Sequence, residues 1–311
     1  ASSFLAEGAL GGRGVVPTMA AMADPHSITL PAPGGGSLLV QQWEARAECH
    51  SNPRGAVVLV HGIGRHSGLF PRLVQGLTNH GYTVLGLDLP GHGRSSGQRG
   101  HILHWSEFRL AVAAVLDQVE RQLPQSPRFL VGHSLGGTVV LDAALHLPGR
   151  LQGTVAANPA LGASAVHPLR LLLARLLSPL WPAFSLSTGI PLALSSRDPE
   201  VLARAEHDPL RHGRASVRLA SEYLRTTAWL RRHAADFRGP LLLLCSGDDR
   251  VVSTEASQAF FAAAASSDKT WRTYPDSYHD LFEDLDHQQV ISDLLGWLDA
   301  HSGISAREAS S

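Results

Sequence analysis

Phe129-Leu130-Val131-Gly132-His133-Ser134-Leu135-Gly136-Gly137 sets a serine between two glycines, with an apolar run before it and a helical pattern after it. An ordinary serine hydroxyl is a poor nucleophile. It becomes a useful one when a sharp turn holds it clear of the backbone, within reach of a general base. The G-x-S-x-G spacing suits that turn, because glycines two positions to either side remove the Cβ atoms that would collide where strand and helix cross. The backbone N–H of Leu135 then falls at the helix start, beside the oxygen that becomes negative when Ser134 attacks a carbonyl. Alone the pattern is weak. Between a strand and a helix it predicts a nucleophilic serine and acyl-transfer chemistry.

Serine elbows of this kind occur in the α/β-hydrolase fold, where acid and base follow the serine along the chain and an earlier loop supplies a second oxyanion donor. Val57-Val58-Leu59-Val60 leads directly into His61-Gly62-Ile63-Gly64-Arg65-His66-Ser67-Gly68. The glycines allow a tight turn that presents a free N–H, assigned here to Ile63. His61 reads as a structural residue that fixes the loop. Asp88-Leu89-Pro90-Gly91-His92-Gly93-Arg94-Ser95 follows another apolar run, and Asp88 and His92 also read as structural. The acid should follow a late strand. Leu241–Cys245 is such a run, and Ser246-Gly247-Asp248-Asp249-Arg250-Val251-Val252 comes next, leaving Asp249 or Asp248. The base should follow the final strand. Thr270–Tyr274 is strand-like and Ser277-Tyr278-His279-Asp280 follows it, which selects His279 from 17 histidines. His287, near the start of the last helix, and His301, in the tail, lack that position.

Taken together, His61-Gly62-Ile63-Gly64, Asp88…Gly91-His92-Gly93-Arg94-Ser95, Gln98-Arg99-Gly100 and Gly132-His133-Ser134-Leu135-Gly136-Gly137 give a chain that resembles the monoacylglycerol lipase/lysophospholipase branch of the α/β-hydrolases. The likeness continues through Asn158-Pro159 and Asp208-Pro209-Leu210 and covers roughly residues 26–300. The nucleophile motif is common to many α/β-hydrolases, whereas the early loop with GHGRS and QRG is more specific. The resemblance implies a helical cap over the site and hydrolysis of single-chain lipid esters. It also implies Asp249 as the acid, since the family's acid directly precedes a basic residue and an apolar pair.

These residues need a scaffold. Val57–Val60, Thr83–Leu87, Phe129–Val131 and Leu241–Leu244 are short and apolar throughout, as strands buried on both faces of a parallel sheet should be. Helical patterns alternate with them over Leu69–His80, Trp105–Leu123, Leu135–Leu147, Thr254–Ala265 and Gln288–Ala300. That order predicts an α/β-hydrolase fold with a mostly parallel, doubly wound sheet. The alternation breaks over residues 159–238, which are proline-rich and carry helical spacing over Ser216–His233. This segment is expected to be a helical cap or lid inserted between core parts 26–158 and 239–301; a plain helical decoration is the bland alternative. Residues 1–25 read as a leader, disordered or added, with Met19 or Met22 as the natural start, and 302–311 as a frayed tail. The leader lacks the charged and apolar regions of a secretory signal.

Composition sets limits. Apolar residues form 44% and charged residues 17% of the chain, a balance that suits a large buried core, and a net charge of −1 provides no field for gathering nucleic acid. Cys49 and the apolar-run Cys245 do not make a disulfide framework, and no run is apolar for long enough to span a membrane. A cytoplasmic protein is expected, touching membranes only peripherally. His101-Ile102-Leu103-His104 has ligand-like spacing without the partners of a zinc site, so neither metal nor organic cofactor is expected. A dehalogenase or epoxide hydrolase would need a carboxylate where Ser134 stands. Leu169, Leu171, Leu172, Leu173, Leu176, Leu177, Leu180 and Trp181 crowd one segment of the insertion; Leu172, Leu176 and Trp181 are expected to bind the acyl chain, with part of the same face meeting micelles or membrane. A general carboxylesterase, lysophospholipase or acyltransferase would use the same triad. An inactive receptor or scaffold of the same fold is the alternative from another class.

Overall fold

The computed structural model describes residues 24–46, 53–162 and 168–303. Cys49, residues 1–23 of the expected leader and 304–311 of the expected tail lie outside them. Eight strands form one sheet in the order β1-β2-β4-β3-β5-β6-β9-β10. These are β1 (His26–Pro31), β2 (Ser37–Trp43), β3 (Gly55–Val60), β4 (Tyr82–Leu87), β5 (Arg128–His133), β6 (Gly153–Ala157), β9 (Leu241–Ser246) and β10 (Lys269–Tyr274). β1 pairs antiparallel with β2 and β2 antiparallel with β4; every later pairing is parallel.

The continuous apolar runs are explained by this sheet's two covered faces. In β3 alternate residues enter different cores: Ala56, Val58 and Val60 pack on one side, Val57 and Leu59 on the other. A strand buried on both faces has no polar phase to show. On the first side lie α2 (Ser106–Gln122) and α3 (Leu135–His146), and on the second α1 (Pro71–Asn79) and α8 (His287–His301). α7 (Thr254–Ala263) packs against β9 and adds Phe260 to the first core. α3 is apolar on nearly every face and its first nine residues are buried, as the central helix behind the nucleophile must be.

Between β6 and β9 the chain leaves the sheet. It forms α4 (Pro168–Leu177), β7 (Ser185–Ser187), α5 (Pro199–His207), β8 (Arg214–Ser216) and α6 (Val217–Arg232), with β7 and β8 joined as a small antiparallel ribbon. α6 is the pillar of this insertion. Ser216 caps it by accepting the Leu219 N–H at 3.1 Å, α4 packs along it, and it reaches α3 and α7 below.

The two-core arrangement makes the shared strand residues the most sensitive to truncation. Phe129 is fully buried between Tyr82 and Trp297. Phe129→Ala should lower unfolding free energy by about 3–5 kcal/mol, read from the denaturant midpoint at constant m-value.

Candidate active site

Ser134 stands between β5 and α3 with φ 58° and ψ −120°, a left-handed backbone that a non-glycine residue adopts only under constraint. The constraint comes from both neighbours. Its N–H donates to Ala157 O and its carbonyl accepts from Ala160 N–H, each at 3.0 Å, which fastens the turn to the end of β6. The flanking glycines serve close approach. A Cβ on Gly132 would lie 2.3 Å from Gly136 O, and one on Gly136 would lie 2.1 Å from Val60 O in β3.

Three side chains then meet. His279 Nε2 lies 2.9 Å from Ser134 Oγ, and His279 Nδ1–H donates to Asp249 Oδ2 at 2.8 Å. The other Asp249 oxygen accepts the N–H groups of Val251 (2.8 Å) and Val252 (3.0 Å). Burial pushes the Asp249 carboxyl up, but the imidazole and these two N–H donors outweigh it and hold the group below its usual range. Asp248 points elsewhere: both its oxygens bind the exposed Arg250 guanidinium at 2.9 Å.

The loop after β3 passes against the nucleophile, so that a Cβ on Gly62 would lie 3.0 Å from Ser134 Cβ. Gly64 has φ 67°, and a Cβ there would meet His212 O at 1.8 Å. Among the described residues neither Ile63 N–H nor Leu135 N–H has a backbone acceptor, so both are available beside Ser134. His61 clamps this loop: Nδ1–H donates to Gly62 O at 2.7 Å and Nε2 accepts from Leu89 N–H at 3.0 Å. Full burial drives its pKa down to about 3, so it works as a neutral connector. Asp88 accepts from Ser67 N–H, Ser67 Oγ–H and Arg94 N–H, and His92 donates to Pro90 O.

Sequence reasoning missed the fastening of the base. His279 O accepts from His133 Nε2–H at 2.9 Å and from Asn158 Nδ2–H at 2.8 Å. Asn158 itself has φ 41° and receives Ser246 N–H on its side-chain oxygen. Asp280 binds Arg65, while Asp284 accepts Tyr278 N–H and pairs with Arg197 of the insertion at 2.9 Å. Apart from Tyr278 and Asp284, which are six positions apart, these partners are dozens to hundreds of positions away, and no local spacing announces them.

A pocket rises from Ser134 between core and insertion. Its wall is almost wholly apolar, with Ile63, Leu171, Ala174, Ile190, Leu219 and Val252 among its members. Leu172, Leu176 and Trp181 are not in that wall: they are 52%, 61% and 61% exposed. The expectation is corrected by helical phase. Leu171, Ala174 and Ser178 form the inward stripe of α4 and its end, and Leu172, Leu173 and Leu176 fall on the opposite face. A smaller pocket that also reaches Ser134 is lined by Arg65, His133, Ser195, Arg211, His212 and His279, among others. For metal ligation, the described residues bring together three donor groups only at His133, His279 and Asp280, where His279 is engaged with Ser134 and Asp280 with Arg65. His101 is bonded to Ser216 Oγ and shares no such cluster with His104.

Residues 51–286 match the family described as serine aminopeptidase, S33. The chain is 30% identical over 270 residues to a monoacylglycerol lipase of Mycolicibacterium smegmatis, covering 86% of this chain and 95% of that protein. It is 27% identical over 262 residues to phospholipase YtpA of Bacillus subtilis, covering 83% and 99%. The crystal structure of a Paleococcus ferrophilus monoacylglycerol lipase matches with a TM-score of 0.78 at 32% identity, over 85% of this chain and 99% of that one.

The hydrogen-bond chain separates the two adjacent aspartates. Asp249→Asn should lower kcat about 10⁴-fold by favouring the wrong imidazole tautomer, and Asp248→Asn should cost less than about threefold. Reversed effects would make Asp248 the acid. Because Asp249 is depressed in the folded state, the stability it adds is present above the unfolded carboxyl value of about 3.9 and fades as pH falls below it. An acid titration of thermal stability should therefore be flatter for Asp249→Asn than for the unaltered protein.

Proposed function

The chain belongs to the serine aminopeptidase S33 family, and we propose that it acts as an esterase of single-chain lipids, cleaving monoacylglycerol to glycerol and a fatty acid. The observation that carries this reading is the run of hydrogen bonds from Ser134 through His279 to Asp249 at the floor of an apolar pocket. Ser134 Oγ attacks the ester carbonyl while His279 Nε2 takes its proton, and Asp249 steadies the imidazolium. The N–H groups of Ile63 and Leu135 hold the oxyanion. His279 then returns the proton to the departing alcohol. Water, activated by the same imidazole, releases the fatty acid from the acyl-enzyme.

The substrate class follows from the walls. An apolar pocket suits a hydrocarbon chain, and a triacylglycerol would need room for two more. The smaller pocket beside His279, with both polar and apolar walls, is where a glycerol would leave. Peptide hydrolysis of the kind the family's description names is less well served, because neither pocket has an acidic lining residue to hold an N-terminal ammonium. The two relatives named as monoacylglycerol lipases support the same assignment.

The insertion over residues 159–238 acts as the cap. Leu169, Leu172, Leu173, Leu176, Leu180 and Trp181 are all exposed on it, a concentration of large apolar side chains in water that suits an interaction surface. Its occupant is a lipid aggregate, met transiently while one chain passes inward. Among the described residues no helix is long and apolar enough to cross a membrane.

A hydrolysis panel tests this. Long-chain monoacylglycerols should give higher kcat/KM than triacylglycerols of the same acid, and a preference for triacylglycerol would remove the assignment. Ser134→Ala should abolish fluorophosphonate labelling and lower turnover about 10⁴- to 10⁶-fold. An unaltered chain that resisted the probe would instead favour a receptor or scaffold. The two faces of α4 should separate as well. Ala174→Trp should depress kcat/KM for long chains at least about tenfold more than for acetate esters by filling the pocket. Leu172→Ser, Leu176→Ser and Trp181→Ser should weaken vesicle binding and leave hydrolysis of soluble short-chain esters within about twofold of the unaltered protein.

A further inference from the structure

Two buried charges lie beside the imidazole without belonging to the run from Ser134 to Asp249. Arg65, two positions after Ile63, is 7% exposed, and its guanidinium donates through Nη1 to the Asp280 carboxylate. Asp280 directly follows His279 and brings a carboxylate oxygen within 4.8 Å of a ring nitrogen of both His279 and His133. Its backbone N–H donates to Ser195 O of the insertion at 2.7 Å. The ion pair therefore joins the oxyanion loop to the base's loop, and the backbone of Asp280 joins that loop to the cap.

The loops do not need this pair to be held. His133 and Asn158 already fasten His279 O, and Asp284 fastens Tyr278 N–H and Arg197. Burying two charges costs several kcal/mol per ion before their attraction offsets it, so two apolar side chains would serve packing as well. Position gives the pair its effect. A buried carboxylate a few ångströms from an imidazole favours the imidazolium, and an imidazolium cannot take the proton from Ser134. A guanidinium on that carboxylate cancels much of its field.

The groups facing His279 are few. Asp249 holds Nδ1, Ser134 meets Nε2, and His133 packs against the ring with centroids 4.7 Å apart. Asp280 and Arg65 lie beside it, and Arg211 and His212 line the same small pocket. Burial drives His133 down to about 3, so it brings no charge. Burial pushes the Asp280 carboxyl up, but the Arg65 guanidinium, by its charge and its hydrogen bond, holds it below its usual range, so it is ionised.

We propose that Arg65 is a positioning residue for the base, its ion pair with Asp280 neutralising the carboxylate beside His279. The inference rests on His279 being the base of Ser134. It is tested by the pH dependence of fluorophosphonate labelling of Ser134 in the full chain, a readout independent of the natural ester, with monoacylglycerol kcat/KM measured alongside. In Arg65→Met the acid limb should move up by about one pH unit, slowing labelling about tenfold on that limb. Arg65→Lys should keep the limb in place, and Asp280→Asn should move it down. The double variant Arg65→Met/Asp280→Asn, with neither charge, should return it close to the unaltered position. KM should change less than kcat throughout. Equal loss at every pH in the single variants, with no return in the double, makes the pair purely structural and overturns the proposal. Thermal unfolding identifies any variant that fails to fold, and Asp280→Asn with the double variant then still decide. If the unaltered chain labels normally and no limb moves, this inference fails alone. If the unaltered chain is not labelled, the esterase reading fails and this one with it.

Discussion

The backbone of Ser134, held at φ 58° and ψ −120°, is the constraint to which its neighbours are fitted. A turn of that kind costs about 1–3 kcal/mol, and it persists because the surrounding structure leaves the chain no alternative. α3 is buried over its first nine residues, β5 lies within the sheet, and the join between them can be made only with Gly132 and Gly136 at the crossing. Ala157 at the end of β6 and Ala160 just beyond it then take both backbone groups of Ser134. Strain at the serine is thus offset by apolar burial elsewhere in the first core.

Around this elbow the structure uses histidine mainly as a neutral connector. His61 and His133 are fully buried, and each joins loops distant in sequence. Imidazole suits that work because it offers both a donor and an acceptor without bringing charge, provided burial keeps it neutral. His279 differs in what its two nitrogens face: a carboxylate on one side and a hydroxyl on the other. Chemistry lies in that difference of partner.

Much of this was legible in the sequence because the decisive signals are local. Continuous apolar runs marked β3, β4, β5 and β9, since strands covered on both faces cannot hide their character. The strand–turn–helix around Ser134 and the post-strand position of His279 were equally plain, whereas position alone left Asp249 and Asp248 both open and the resemblance favoured Asp249. β1 and β2 escaped because β1 is a largely exposed edge strand. β6 escaped because Gly-Thr-Val-Ala-Ala is built of small residues; a Cβ on Gly153 would lie 2.4 Å from the Trp297 ring. The leucines of α4 declared an apolar helix but not its phase, because apolar residues lie on both faces. Arg65 and Asp280 meet across 215 positions, and nothing local connects them.

Val251 and Val252 have two duties at once. Their N–H groups hold the Asp249 carboxylate, and their side chains form part of the wall of the apolar pocket. That wall is therefore coupled to the acid, and reshaping it for a longer or bulkier chain would disturb the carboxylate as well. The opposite wall, with Leu171, Ala174 and Leu186, has no such tie to the acid. Selection for a new acyl group is thereby channelled to the cap side, which can drift in sequence while the core side stays fixed. The fold separates what may be varied from what must be kept, and draws the boundary through the middle of one cavity.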